Sequence, residues 1–287
     1  MSPRPDFPIV DTHVHLWDPG VVEYGWLGEV PSLDHRFDLA ALDRHRDGIE
    51  IEKAVFLECN VPAAALDDER RFVTGLADAD PRLAGMVFQA PLQDGDAVRP
   101  LLESYAQDPR IKGVRRLLQE EEDPRYALRP GFVAGVRALA GTGLHFEICI
   151  YHHQMEAALE LARQVPEVRF VLDHIGKPGI KDGLEDPWRQ QIAEMAGLDN
   201  VWCKVSGIAT EANHEHWTPE QIRPYTRHAL ECFPSDRVMF GGDWPVALLA
   251  VPYPRWVELL WEFTSDLTPE GRRRLFRDNA IEFYRLD

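Results

Sequence analysis

A chain of 287 residues with 45% hydrophobic and 28% charged residues is long enough to bury a large core without disulfide or metal staples. Its formal net charge of −17 and lack of a basic stripe argue against a nucleic-acid partner, because phosphate binding draws on clustered Lys and Arg; Arg272-Arg273-Arg274 falls within a helical pattern and reads as a solvated face. No apolar run approaches the ~18 residues of a membrane span, no signal-like segment opens the chain, and Cys59, Cys149, Cys203 and Cys232 form no Cys-x-x-Cys pair, so the expectation is a cytoplasmic protein with buried free thiols.

The first β-rich run, 7–16, carries Asp11-Thr12-His13-Val14-His15. Alternation along a strand puts His13 and His15 on one face. Two imidazoles so placed can grip a metal ion or an anionic oxygen, although two half-buried strand histidines would give the same pattern. The irregular stretch 18–36 follows, with Pro19, Gly20, Gly25, Trp26 and Pro31, and reads as a lid or pocket wall. Further strands are expected at 51–58, ending in Glu58, at 83–90, and at 111–117, which carries Arg115-Arg116. A helical pattern then aligns Phe132, Val136 and Leu139. The fifth strand, 144–151, runs into His152-His153, and the next helix aligns Ala157, Leu161 and Val165. The sixth, 168–174, ends in Asp173-His174 before Gly176-Lys177-Pro178. The seventh, 201–206, places Lys204 and Ser206 on one face before Gly207. The eighth, 238–243, ends in Gly241-Gly242-Asp243-Trp244-Pro245. A last amphipathic helix starts near Thr268-Pro269, with Leu275, Phe276, Ile281 and Phe283 on its apolar side.

Eight strand–helix units predict parallel pairing with right-handed crossovers, and hence one closed (β/α)8 barrel domain spanning 1–287. The competing open doubly wound sheet usually carries a Gly-rich turn after its first strand, and this chain has His-Val-His-Leu-Trp there. Functional groups of a barrel gather at the C-terminal strand ends. Ionisable residues recur at those positions, which a purely structural barrel would not need, since burying unpaired charge is costly.

The segments 10–18, 173–178, 203–207 and 239–245, with Asn279-Ala280 and Phe283-Tyr284 near the end, resemble the amidohydrolase superfamily, in particular its sugar-lactonase branch. That branch includes fuconolactonase, rhamnonolactonase and pyrone-dicarboxylate lactonase. The matching segments span nearly the whole chain in the expected order. The resemblance implies a distorted barrel of the metal-dependent hydrolase type, acting on a cyclic ester. Many relatives carry a carbamylated lysine at the end of strand four. Arg115 or Arg116 stands here, so a lysine-bridged binuclear centre is not expected. His152 and His153 lie beyond the position of the usual strand-five metal-binding histidine and read as substrate or loop residues. The remaining potential ligands are His13, His15, Glu58, His174 and Asp243, which suit at most one zinc-like ion with an open position. Some lactonases of the branch work without metal.

Lactone opening needs an activated water, a polarised carbonyl and a proton for the leaving alkoxide. Asp243 is the candidate base, and His13, His15 and His174 would polarise the carbonyl directly or through a metal. Whichever of Arg115 and Arg116 faces the pocket would offer forked donors to substrate, with Arg115 the residue assigned. Lys204, His153, Trp26 and Trp244 are further candidate substrate contacts, with Trp17 beside them; a buried ion pair would equally account for Lys204, and packing for each Trp. The expected activity is hydrolysis of a sugar-derived aldonolactone such as fucono- or rhamnono-lactone. The alternatives are a metal-dependent hydrolase or decarboxylase of a cyclic or aromatic carboxylate, and a non-catalytic metabolite-binding barrel. The expected partner is a small molecule, with no membrane, and with room for a homo-oligomer.

Overall fold

The apolar runs fold as the inner wall of a barrel. In the computed structural model, which describes residues 4–286, the strands are β1 (Ile9–Val14), β2 (Ile51–Leu57), β3 (Leu83–Gln89), β4 (Ile111–Arg115), β5 (His145–Ile148), β6 (Phe170–Leu172), β7 (Val201–Val205) and β8 (Val238–Phe240). They pair in parallel, in sequential order, with helices between them: a (β/α)8 barrel. Both faces of the sheet are covered, which is why the strands read as nearly continuous apolar runs rather than alternating ones. The strands are shorter than their apolar runs because the chain leaves the ladder at the mouth. β6 stops before Asp173 and β8 before Gly241, where functional residues begin.

The seam between β8 and β1 is narrow. It is closed by the bridge between Val14 and Trp244, with His15 N donating to the Trp244 carbonyl and Asp243 N to the His13 carbonyl, both at 2.8 Å. Side chains add stitches. Asp11 accepts from His13 N at 3.0 Å, from Gly242 N at 2.7 Å and from the Tyr253 hydroxyl at 2.9 Å. Burial lifts the Asp11 carboxyl to about 6, against the pull of those donors. A Cβ at Gly242 would stand 2.4 Å from Asp11 Oδ2, so the close approach requires glycine.

The barrel interior holds a small apolar cluster including Val10, Val55, Val87, Val171 and Met239. Phe283, Tyr284 and Leu286 of the C-terminal segment pack against it, near the N-terminal strand ends. The expected last helix is realised as Pro269–Arg273, a π-helical turn Arg274–Asp278 and Asn279–Tyr284, capped by Thr268 Oγ1 accepting from Gly271 N. A much larger core fills the space between sheet and helices. Among the described residues no helix is long and apolar enough to cross a membrane. Cys59, Cys149 and Cys203 are buried free thiols, and Cys232 is half-buried.

Candidate active site

An irregularity in β1 between Asp11 and Val14 turns His13 and His15 toward one point at the mouth. Their Nε2 atoms lie 3.2 Å apart. Asp243 Oδ1 sits 3.6 Å from His13 Nε2 and 3.5 Å from His15 Nε2. His15 Nδ1 is 2.9 Å from the Leu57 carbonyl, which can only accept, so Nδ1 carries a proton, and Nε2 faces Asp243. His13 Nδ1 faces Asp173 Oδ1 at 3.4 Å. The His174 ring packs on that of His13 with centroids 4.4 Å apart, and its Nδ1 lies 2.9 Å from Ser206 Oγ. The structure thus brings His13, His15, His174 and Asp243 together.

His174 reaches this point through unusual backbone. His174, Ile175, Gly176 and Lys177 have φ of 54°, 49°, 72° and 46°, and Lys177 N donates to the His174 carbonyl at 2.9 Å. Left-handed conformation costs roughly 1–2 kcal/mol per L-residue. Packing over-determines the turn: Trp188 Nε1 donates to the Ile175 carbonyl at 2.8 Å, and a Cβ at Gly176 would collide with Met155. Gly207, at φ 60°, is equally constrained, because a Cβ there would lie 2.5 Å from Asp243 Oδ2 and 2.7 Å from His174 Nδ1.

Beneath the histidines runs a charge network. Arg115 Nε donates to Glu58 Oε1 at 2.7 Å, Nη1 to Asp173 Oδ2 at 3.1 Å and Nη2 to the Glu58 carbonyl at 2.7 Å; Nη1 also lies 3.3 Å from His13 Nε2. Lys204 pairs with Glu147 and lies 3.4 Å from Asp173 Oδ1. Glu147 also accepts from Tyr284 Oη at 2.7 Å and contacts His145 Nε2 at 3.0 Å. Burial pushes His13 and His174 well below the usual imidazole value, outweighing the nearby carboxylates. Burial alone would raise Asp173 and Asp243. Lys204, His13 and Arg115 instead hold Asp173 well below the usual carboxylate range, and His174, His15 and Lys177 hold Asp243 below it.

A cavity of about 270 Å³ opens above this floor, at the small end of ligand pockets. His15, His174, Asp243 and Lys177 line it, with Trp26 and Val30 on one wall and Glu29, Gln119 and Glu120 offering polar groups. Trp26 Nε1 donates to the Cys59 carbonyl at 2.8 Å. Several expected site residues stand elsewhere. Lys204 is fully buried in its ion pair and does not reach the cavity. Trp244 is fully buried in aromatic packing with Phe37 and His45, its Nε1 donating to His45 Nδ1. His153 is exposed on the turn after β5, outside the cavity. Glu58 lines the cavity, with Oε1 accepting from Arg115 and Oε2 from Asn60 N at 2.7 Å, and it stands in neither of the convergent ligand groups described below. Arg115 is the inward member of its pair, and Arg116 turns outward to Glu121. Of the five N–H donors of Arg115 the contacts above leave one for a ligand, so the open fork expected from sequence is mostly closed. Asp173, Glu147 and Asp11 were not assigned from sequence. Asp173 adjoins His174 and Asp11 opens the His13/His15 run, so both stand in motifs that point to them; Glu147 gives no local signal.

The donor set fits a divalent ion. Among the described residues, His13, His15 and Asp243 form one group with ligand atoms mutually within 4.8 Å, and His13, Asp173 and His174 another. In the first, two imidazole nitrogens and a carboxylate oxygen converge, and His13 has Asp173 behind it, the usual outer partner of a ligating imidazole. Asp173 is already held by Arg115 and Lys204, which makes the first group the better cation site.

A family model described as Amidohydrolase matches residues 10–286. The L-fucono-1,5-lactonase of Burkholderia ambifaria is 30% identical over 284 residues, covering 97% of this chain and 96% of that protein. A 4-sulfomuconolactone hydrolase of Rhizobium radiobacter is 25% identical over 247 residues, covering 82% and 75%. A crystal structure of an amidohydrolase from Burkholderia multivorans with bound zinc superposes with a TM-score of 0.87 at 26% identity, covering 98% of this chain and 100% of that one. With that match running from the first strand to the final helix, the chain belongs to the amidohydrolase family.

Proposed function

We propose that this protein is a hydrolase that opens a sugar-derived aldonolactone, such as fucono- or rhamnono-lactone, using water activated at the His13–His15–His174–Asp243 site. The observation that carries the reading is an ionised carboxylate, Asp243, 3.5 and 3.6 Å from two imidazole Nε2 atoms at the edge of a small cavity. Similarity over nearly the full length to an L-fucono-1,5-lactonase supports the substrate class. The cavity wall supports it too: Trp26 offers an apolar face to a sugar ring, and Gln119, Glu29 and Glu120 offer partners to its hydroxyls. Those rim carboxylates disfavour a ring that itself bears carboxylates.

Asp243 Oδ1 faces the imidazoles, while Oδ2 faces the space kept open by Gly207 and takes the proton of the attacking water. His174, held at Nδ1 by Ser206, orients the carbonyl. Arg115 fixes Asp173 and Glu58 and so holds His13 in place. His13, His15 and Asp243 would hold one zinc-like ion, which when bound lowers the pKa of water and polarises the carbonyl. The reading includes a cytoplasmic location, which the free thiols support, and leaves room for a homo-oligomer. A pH-indicator screen across a sugar-lactone library, with and without chelator, tests the reading. Acid release from an aldonolactone is expected. Turnover confined to decarboxylation of ring acids, or ligand binding without acid release, would overturn it.

A further inference from the structure

Resting on the lactonase reading, we infer that Lys177 is the catalytic acid that protonates the ring oxygen as the lactone opens. Its placement follows from the left-handed turn. Lys177 N–H closes an i to i+3 hydrogen bond on the His174 carbonyl, and in a 3₁₀ turn the side chains at i and i+3 eclipse. The turn therefore delivers His174 and Lys177 to the same side, and both line the cavity that contains Asp243. The strained conformation is locked by Trp188 and Met155.

The Lys177 ammonium stands 3.5 Å from Glu211 Oε1 and 5.2 Å from the Tyr151 ring centroid. With one ion-pair partner and one aromatic face, it retains N–H capacity for a ligand in the cavity. Arg115 and Lys204, the other buried cations of the site, are held by Glu58, Asp173 and Glu147. Burial works against its charge, but Cys149, Glu211 and Asp243 around it raise the ammonium and keep it protonated. It is therefore charged in the resting site and can give a proton to the ring oxygen as negative charge develops there.

The steps balance. Water oxygen bonds to the carbonyl carbon while one water proton passes to Asp243, and the C=O electron pair moves onto the carbonyl oxygen. That pair returns as the ring C–O bond breaks, and the ring oxygen takes a proton from Lys177 Nζ to become a hydroxyl. The Asp243 proton returns to the Lys177 amine through solvent, and the new carboxylic acid ionises. One water is consumed and one hydroxy acid formed.

The test compares an aldonolactone with its ring-sulfur analogue. A thiol has a pKa near ~8.5 and leaves as thiolate without help. In Lys177→Met, kcat for the lactone should fall ~10²–10⁴-fold, the usual worth of a general acid, with KM within about threefold of wild type. kcat for the thiolactone should fall less than about tenfold. Where Lys177→Met folds poorly because Glu211 loses its partner, Lys177→Met/Glu211→Gln restores neutrality and reads the same comparison. Equal losses for lactone and thiolactone, or a lactone kcat within tenfold of wild type, would overturn the assignment while leaving the lactonase reading standing. If the wild-type protein opens no lactone, the lactonase reading fails first.

Discussion

Arg115→Met separates a framework cation from a substrate anchor. Methionine keeps roughly the length of the side chain and deletes the charge shared by Glu58 and Asp173. Both carboxylates are fully buried, and Arg115 itself is 3% exposed, so water cannot take over. Breaking a buried pair by removing one partner costs ~3–5 kcal/mol, because an uncompensated charge remains. That is a large part of the ~5–15 kcal/mol that holds a typical domain folded. At ~2–4 °C per kcal/mol for a chain near this size, the melting temperature should drop by roughly 6–20 °C. Circular-dichroism melts and urea titrations at pH 7 measure it. Adding Glu58→Gln should recover part of the loss, with a coupling of ~0.5–3 kcal/mol in the double-mutant cycle. A variant that melts within about 2 °C of wild type and shows only a raised KM would refute the framework role and return Arg115 to substrate binding.

Asp243→Asn should keep lactone binding and lose ~10²–10⁴-fold in kcat, since an amide cannot take the water proton; near-parental kcat would move the base to another group. Elemental analysis should find at most one tightly bound divalent ion per chain, with His15→Ala weakening its retention against chelator; two required equivalents would contradict the single group of His13, His15 and Asp243. Burial and the neighbouring Glu58 raise the Glu69 carboxyl from 4.5 to about 8. A carboxyl raised in the folded state supplies stability that is present below its unfolded pKa and lost as pH rises through its folded one. Wild type should therefore lose a few kcal/mol relative to Glu69→Gln between roughly pH 4.5 and 8, and parallel stability curves for the two proteins would disprove the shift.

The barrel was legible because short β-rich apolar runs recur and each is followed by helical periodicity. The His13/His15 pair and Asp243 were legible because they end such strands. Less legible was anything that depends on register between distant strands. Lys204 shares a strand face with Ser206, yet one reaches His174 and the other meets Glu147 from β5 and Asp173 from the end of β6. Nothing in Ile175 or Lys177 announces left-handed backbone, since it is imposed by tertiary packing against the preference of both residues. Trp244 follows Asp243 in sequence but packs into the layer behind it, where Phe37 and His45 receive it.

The narrow seam between β8 and β1 has a consequence for biosynthesis. His13 and His15 leave the ribosome well before Asp243, and the amides of His15 and Asp243 help to join the two edges. Until the eighth strand docks, the early histidines lack Asp243. Domains fold as units during synthesis, from the N-terminus onward. On the proposed mechanism, a chain without its eighth strand is inactive, and activity arrives together with the closing of the ring.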